Sequence, residues 1–81
     1  MRQRVLLFGP QAQRVGRRDV ELELADDATV ADVMMRLRER EPGLADSLAV
    51  SRLSINHRFA DPDALVTPTD ELALIGLISG G

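Results

Sequence analysis

The chain has 81 residues, with 13 acidic side chains against ten basic ones and a formal net charge of −3. Every basic residue is Arg, and there is no Cys, which excludes disulfides, thiol catalysis and thiolate metal sites; the acidic balance argues against a general nucleic-acid binder. The length suits one small α+β domain over residues 1–81, and no leader-like or membrane-spanning run stands out, so a cytoplasmic location without a membrane partner is the expectation.

Arg4 to Phe8 reads as a first strand, rich in Val, Leu and Phe and closed by Gly9-Pro10. Gln11 to Arg18 is polar, contains Gly16 and reads as a loop. From Asp19 to Ala25 the chain alternates: Val20, Leu22 and Leu24 share one face, Glu21 and Glu23 the other, the mark of a half-buried strand. It is expected to pair antiparallel with the first strand across the short connection. Thr29 then has the features of a helix N-cap, with Asp32 three residues on as its capping-box partner. Val30, Val33, Met34 and Leu37 form an apolar stripe at helical spacing, and Asp32 and Arg36 are placed to pair one turn apart. Pro42-Gly43 ends this helix. Leu44 to Ser51 reads as a turn or loop with Leu48 and Val50 anchored, Leu53 to His57 as a strand, and Arg58 to Thr69 as loop with Leu65-Val66 a brief strand or anchor. Glu71 to Leu77 is the last strand, followed by Ile78-Ser79-Gly80-Gly81.

Strands around one central helix imply one mixed sheet with the helix packed on one face. The second strand fits this scheme, since its uncovered side is Glu. The first and last strands are apolar on both sides: Val5 and Leu7 against Leu6 and Phe8, Leu72 and Leu74 against Ala73, Ile75 and Leu77. If these two are central neighbours, the open face carries an apolar patch, which is either a protein contact or core covered by a loop. On the contact reading Phe8, Ile75, Leu77 and Ile78 bind a partner. His57, the single His, has no paired nucleophile in view and reads as a surface residue. Asp26-Asp27 reads as a loop before a helix N-terminus, not a metal site; Arg17-Arg18 reads as a solvated loop tip, and Met34-Met35 as helix packing.

The order of elements, the terminal Ser79-Gly80-Gly81, the Val5-Leu6-Leu7-Phe8 strand, Thr29-Val30 and Leu37 of the helix, Asn56 after an apolar strand, and Asp70-Glu71-Leu72-Ala73 together resemble the β-grasp, ubiquitin-like sulfur carriers, most of all the molybdopterin synthase small subunits. The resemblance covers the whole chain. Pro68-Thr69 stands where that family usually has Asp-Gly, and Gly76-Leu77 where it commonly has Pro-Pro, so a carrier for thiazole synthesis or another thiolation route is a second possibility. A plain β-grasp interaction module and a protein-tagging modifier are others, although with no Lys a tag that builds chains through its own Lys side chains is not possible.

The resemblance implies a non-catalytic subunit. An adenylating enzyme uses ATP to activate the Gly81 carboxylate, a sulfur-donor protein converts it to a thiocarboxylate, and the sulfur passes to a pterin precursor within the synthase large subunit, where the catalytic residues lie. Ser79 and Gly80 thread the tail into that partner, glycine's missing Cβ suiting a narrow channel. No metal or cofactor is expected on this chain itself.

Overall fold

The computed structural model describes residues 1–77; Ile78, Ser79, Gly80 and Gly81 lie outside the described residues. Five strands form one sheet among them: β1 (Arg2–Leu6), β2 (Asp19–Glu23), β3 (Ser51–Ile55), β4 (Arg58–Phe59) and β5 (Leu72–Gly76), in the order β2-β1-β5-β3-β4. The expected antiparallel pair is present, with Val5 opposite Val20. The first and last strands are central neighbours and run parallel, Leu6 beside Ala73. β3 pairs antiparallel with both β5 and β4. The sheet is therefore mixed.

The main helix, α2 (Val30–Arg40), starts where its capping signature places it. Thr29 Oγ1 accepts from the Asp32 amide and the Asp32 carboxylate accepts from the Thr29 amide, so two amides that have no partner inside the helix are satisfied reciprocally. Its stripe of Val30, Val33 and Leu37 is buried against Val5, Val20, Leu22, Leu72 and Leu74 from the sheet. This one-sided apolar periodicity is what holds helix to sheet, because helix propensity alone stabilises an eleven-residue helix poorly in water. Asp32 is occupied at the cap, and Arg36 pairs with Glu39 at 3.9 Å instead of with Asp32.

Several boundaries differ from the sequence reading. The segment Gln11 to Arg18, read as loop, is largely helix α1 (Gly9–Val15). Pro10 sits in its first turn, where a missing N–H costs nothing, and Gly16 closes it in the left-handed conformation (φ 78°), its amide bonding the Ala12 carbonyl. Residues 44–51 are also more ordered than a loop: a 3-10 turn (Pro42–Leu44) runs into the short helix α3 (Ala45–Leu48), burying Leu44 and Leu48, while Val50 is exposed. β3 ends at Ile55, and Asn56 and His57 form a two-residue hairpin turn with φ of 52° and 71°, the left-handed values such a turn demands. β4 (Arg58–Phe59) opens the segment Arg58 to Thr69, read as loop. Leu65 bridges Thr29 and is exposed, whereas Val66 is buried.

Candidate functional site

The sheet has two unlike faces. One carries Gln3, Val5, Leu53, Leu72 and Leu74 and lies under α2 and its neighbours. No helix among the described residues lies over the other. In strand order, it presents Asp19, Glu21 and Glu23 from β2, Arg2, Arg4 and Leu6 from β1, Ala73 and Ile75 from β5, Arg52 and Ser54 from β3, and Phe59 from β4. The register aligns Leu6, Ala73, Ser54 and Phe59 in one row across four strands.

This open face is divided in two. On the β2 side, charges alternate: Arg2 meets Glu23 at 3.0 Å, and Arg4 lies 3.8 Å from Asp19 and 3.7 Å from Glu21. Such exposed pairs add little stability, but they make that half a hydrated surface. On the β5 side a groove of about 320 Å³ runs over Leu6, Ala73 and Ile75, walled by Phe8 and Phe59, with His57 and Glu71 at one end, 3.0 Å apart. Phe8 is 54% exposed, Phe59 52% and Leu77 51%. Arg52 lies over the Phe59 ring, 4.9 Å from its centroid, holding the ring in place while its charge reaches Asp61 at 3.9 Å. A second groove, about 420 Å³, adjoins the first at Phe8 and Ile75 and continues past Pro10, Val50 and Gly76 to the point where the chain reaches Leu77.

The structure thus brings Phe8 and Ile75 together in both grooves, and Leu77, which follows the last strand, is exposed. No loop among the described residues covers them. The remaining expected site residues, Ile78, Ser79, Gly80 and Gly81, lie outside the described residues. Phe59 was missed, because a two-residue strand has no periodicity to read; its signal was the Asn56-His57 turn, which returns the chain beside β3. His57 is a surface residue, as expected. Asp26 lies in a turn after β2 and faces the Met1 amino group at 3.5 Å. No helix among the described residues is long and apolar enough to cross a membrane.

A mixed sheet with the parallel first and last strands at its centre, a helix gripped on one side and an apolar patch on the other, defines a ubiquitin-like β-grasp protein. Comparison with known proteins narrows that class. The chain belongs to the ThiS family, whose profile matches residues 5–81. It is 31% identical over 78 residues to a protein of Arabidopsis thaliana named molybdopterin synthase sulfur carrier subunit, covering 96% of this chain and 81% of that one. It is 28% identical over 81 residues to a Dictyostelium discoideum protein of the same name, covering 96% and 94%. Among solved structures it resembles small archaeal modifier protein 1 (SAMP1) of Haloferax volcanii, at 27% identity and a TM-score of 0.84 with both chains fully covered.

Proposed function

We propose that this protein is the sulfur carrier subunit of a molybdopterin synthase and that it acts through the carboxyl group of Gly81. The observation that carries the reading is the placement of an open apolar face directly at the root of a Ser-Gly-Gly segment, in a chain whose family match runs through Gly81. Relatives that carry the sulfur-carrier name align over almost the full length of both chains.

A carboxylate at neutral pH is a poor electrophile. An activating partner therefore transfers AMP from ATP to the Gly81 carboxylate, releasing pyrophosphate. A sulfur donor then displaces AMP, and the terminus becomes a thiocarboxylate. The thiocarboxylate sulfur is the stronger nucleophile: it forms a C–S bond to the acceptor held by the large subunit, and water then cleaves the acyl–sulfur bond, leaving sulfur on the acceptor and restoring the Gly81 carboxylate. This chain contributes delivery. Gly80 and Gly81 lack Cβ atoms and fit a narrow channel, at the cost of the backbone entropy lost on insertion. Docking of Phe8, Phe59, Ile75 and Leu77 offsets that cost and holds the sulfur near its target, which is a proximity effect. ATP and any metal are bound by the partners, and acid–base chemistry is supplied by the large subunit.

A reconstituted synthase tests this. Deleting Gly81, or appending one residue after it, abolishes sulfur transfer while the circular dichroism spectrum and melting temperature stay unchanged. Undiminished transfer by either variant contradicts the reading. The likeness to the archaeal modifier supports a second reading, in which Gly81 is joined to amines of other proteins. Amide-linked conjugates in cell extract, absent with the Gly81 deletion, would distinguish it.

A further inference from the structure

The second groove has one polar wall, formed by buried Gln11 and the half-buried Ser47 and Ser51. Gln11, in α1, is only 9% exposed and its carboxamide donates to Ser51 Oγ at 2.8 Å and to Ser47 Oγ at 3.3 Å. Ser51 Oγ in turn donates to the Ser47 carbonyl at 2.7 Å, and Ser47 Oγ to the Leu44 carbonyl at 2.9 Å. The Ser47 carbonyl also receives the Val50 amide at 3.1 Å. These bonds lock the turn from Ser47 to Ser51. The carbonyl of Val50 in that turn accepts the Leu77 amide at 2.9 Å, one step beyond the last strand pair, Ser51 with Gly76. Leu77 is thus tied to a turn to which Gln11, from the separate helix α1, is directly hydrogen-bonded.

A buried amide hydrogen-bonded to two hydroxyls contributes little net stability compared with apolar packing of the same volume. What it fixes is position. We infer that Gln11 is a positioning residue for sulfur delivery: through Ser51, Ser47 and Val50 it anchors Leu77 and so sets the point from which the terminal segment departs. The inference rests on the carrier reading above. The four residues after Leu77 span at most about 14 Å when fully extended, so one residue of slack at the root changes both where the terminal carbonyl reaches and how much chain must be ordered on insertion. Ordering one extra residue corresponds to about a tenfold loss. Among the docking residues Leu77 is bonded into this network, so releasing it affects docking a little and delivery much more.

The first test needs no partner. In the full chain, Gln11→Met keeps the side-chain volume and removes the donor; Ser51→Ala removes the receiving hydroxyl, and Ser51→Thr restores one. Amide hydrogen exchange is followed at Leu77 and at two reference amides, Val66 (bonded to the Ala28 carbonyl) and Asn56 (bonded to the Glu71 carbonyl). Gln11→Met and Ser51→Ala raise exchange at Leu77 about tenfold or more and leave Val66 and Asn56 unchanged, while Ser51→Thr behaves as wild type. Unchanged Leu77 exchange in Ser51→Ala overturns the inference, as does an equal rise at all three amides. If Gln11→Met does not fold, the Ser51 pair decides alone.

The second test uses the thiocarboxylated carrier with its large subunit. Sulfur transfer at saturating partner falls about tenfold in Gln11→Met, while the half-saturating concentration stays within about twofold. A change in half-saturation alone contradicts a positioning role. If wild-type carrier transfers no sulfur at all, the carrier reading fails and the role in delivery fails with it, while the exchange measurement still decides whether Gln11 anchors Leu77.

Discussion

Asn56 and Asp70 show how single side chains set the frame of the site. The Asn56 carboxamide donates to Asp70 Oδ1 and accepts from the Glu71 amide, both at 2.9 Å. Asp70 Oδ2 accepts the Thr67 amide at 2.8 Å, and buried Gln3 reaches the carbonyls of Thr67 and Asp70. Together they clamp the start of β5 between β1 and the β3–β4 turn. The Thr67 amide, helped by Asn56, holds the Asp70 carboxyl below its ordinary pKa. A depressed carboxylate contributes stability that is full above its unfolded pKa and lost as pH falls through the folded value. Melting temperature of wild type therefore drops more on acidification below the ordinary carboxylate range than that of Asp70→Asn; parallel curves for the two proteins would show that the clamp is not charge-dependent. Asp70→Ala costs about 1 kcal/mol in urea denaturation, since the groups it releases regain water. Asn56 and Asp70 stood out in the sequence by resemblance, but their meeting did not, because fourteen residues separate them and only the strand pairing brings them together.

At the scale of elements, those with strong periodicity or a capping pair were legible. The alternation read from Asp19 to Ala25 starts where β2 starts, although the strand ends at Glu23, and the Thr29–Asp32 box falls where the structure has it. Thr29→Ala lowers stability by about 1 kcal/mol, with the loss read as a shift in the urea midpoint at unchanged slope; no shift would mean that the packed stripe, not the cap, defines the helix start. Helix α1 was illegible for a physical reason. It is short and polar, and Pro10 and Gly16, read as breakers, are the residues that begin and end it. The open face was legible in β1 and β5, where both sides are apolar, and incomplete without Phe59. Phe8 is the N-cap residue of α1 as well as part of that face, and Asp is a favoured residue at an N-cap. Phe8→Asp therefore retains the fold and weakens large-subunit binding by about thirtyfold or more in calorimetric titration; undiminished binding would place the partner elsewhere.

Across the whole molecule, the fold separates two tasks. α2 and its stripe pack the main core on one side of the sheet, while the other side buries Ala73 and Ser54 but leaves Phe8 and Phe59 exposed. The charged half of that open side keeps it hydrated, and the apolar half lies against the last strand, so a partner seated there is also at the origin of the terminal segment. A chain with ten Arg and no Lys offers its own adenylated terminus no side-chain amine to acylate, which is consistent with a carrier whose terminus must survive activation. Intact-mass spectrometry after incubation with an activating enzyme, ATP and a sulfur donor tests the central claim most directly. The account predicts a mass increase equal to sulfur replacing one oxygen, localised to the peptide ending in Gly81 and missing from the Gly81 deletion. An unchanged mass under conditions in which a related sulfur carrier is fully converted, or a sulfur adduct elsewhere in the chain, would contradict it.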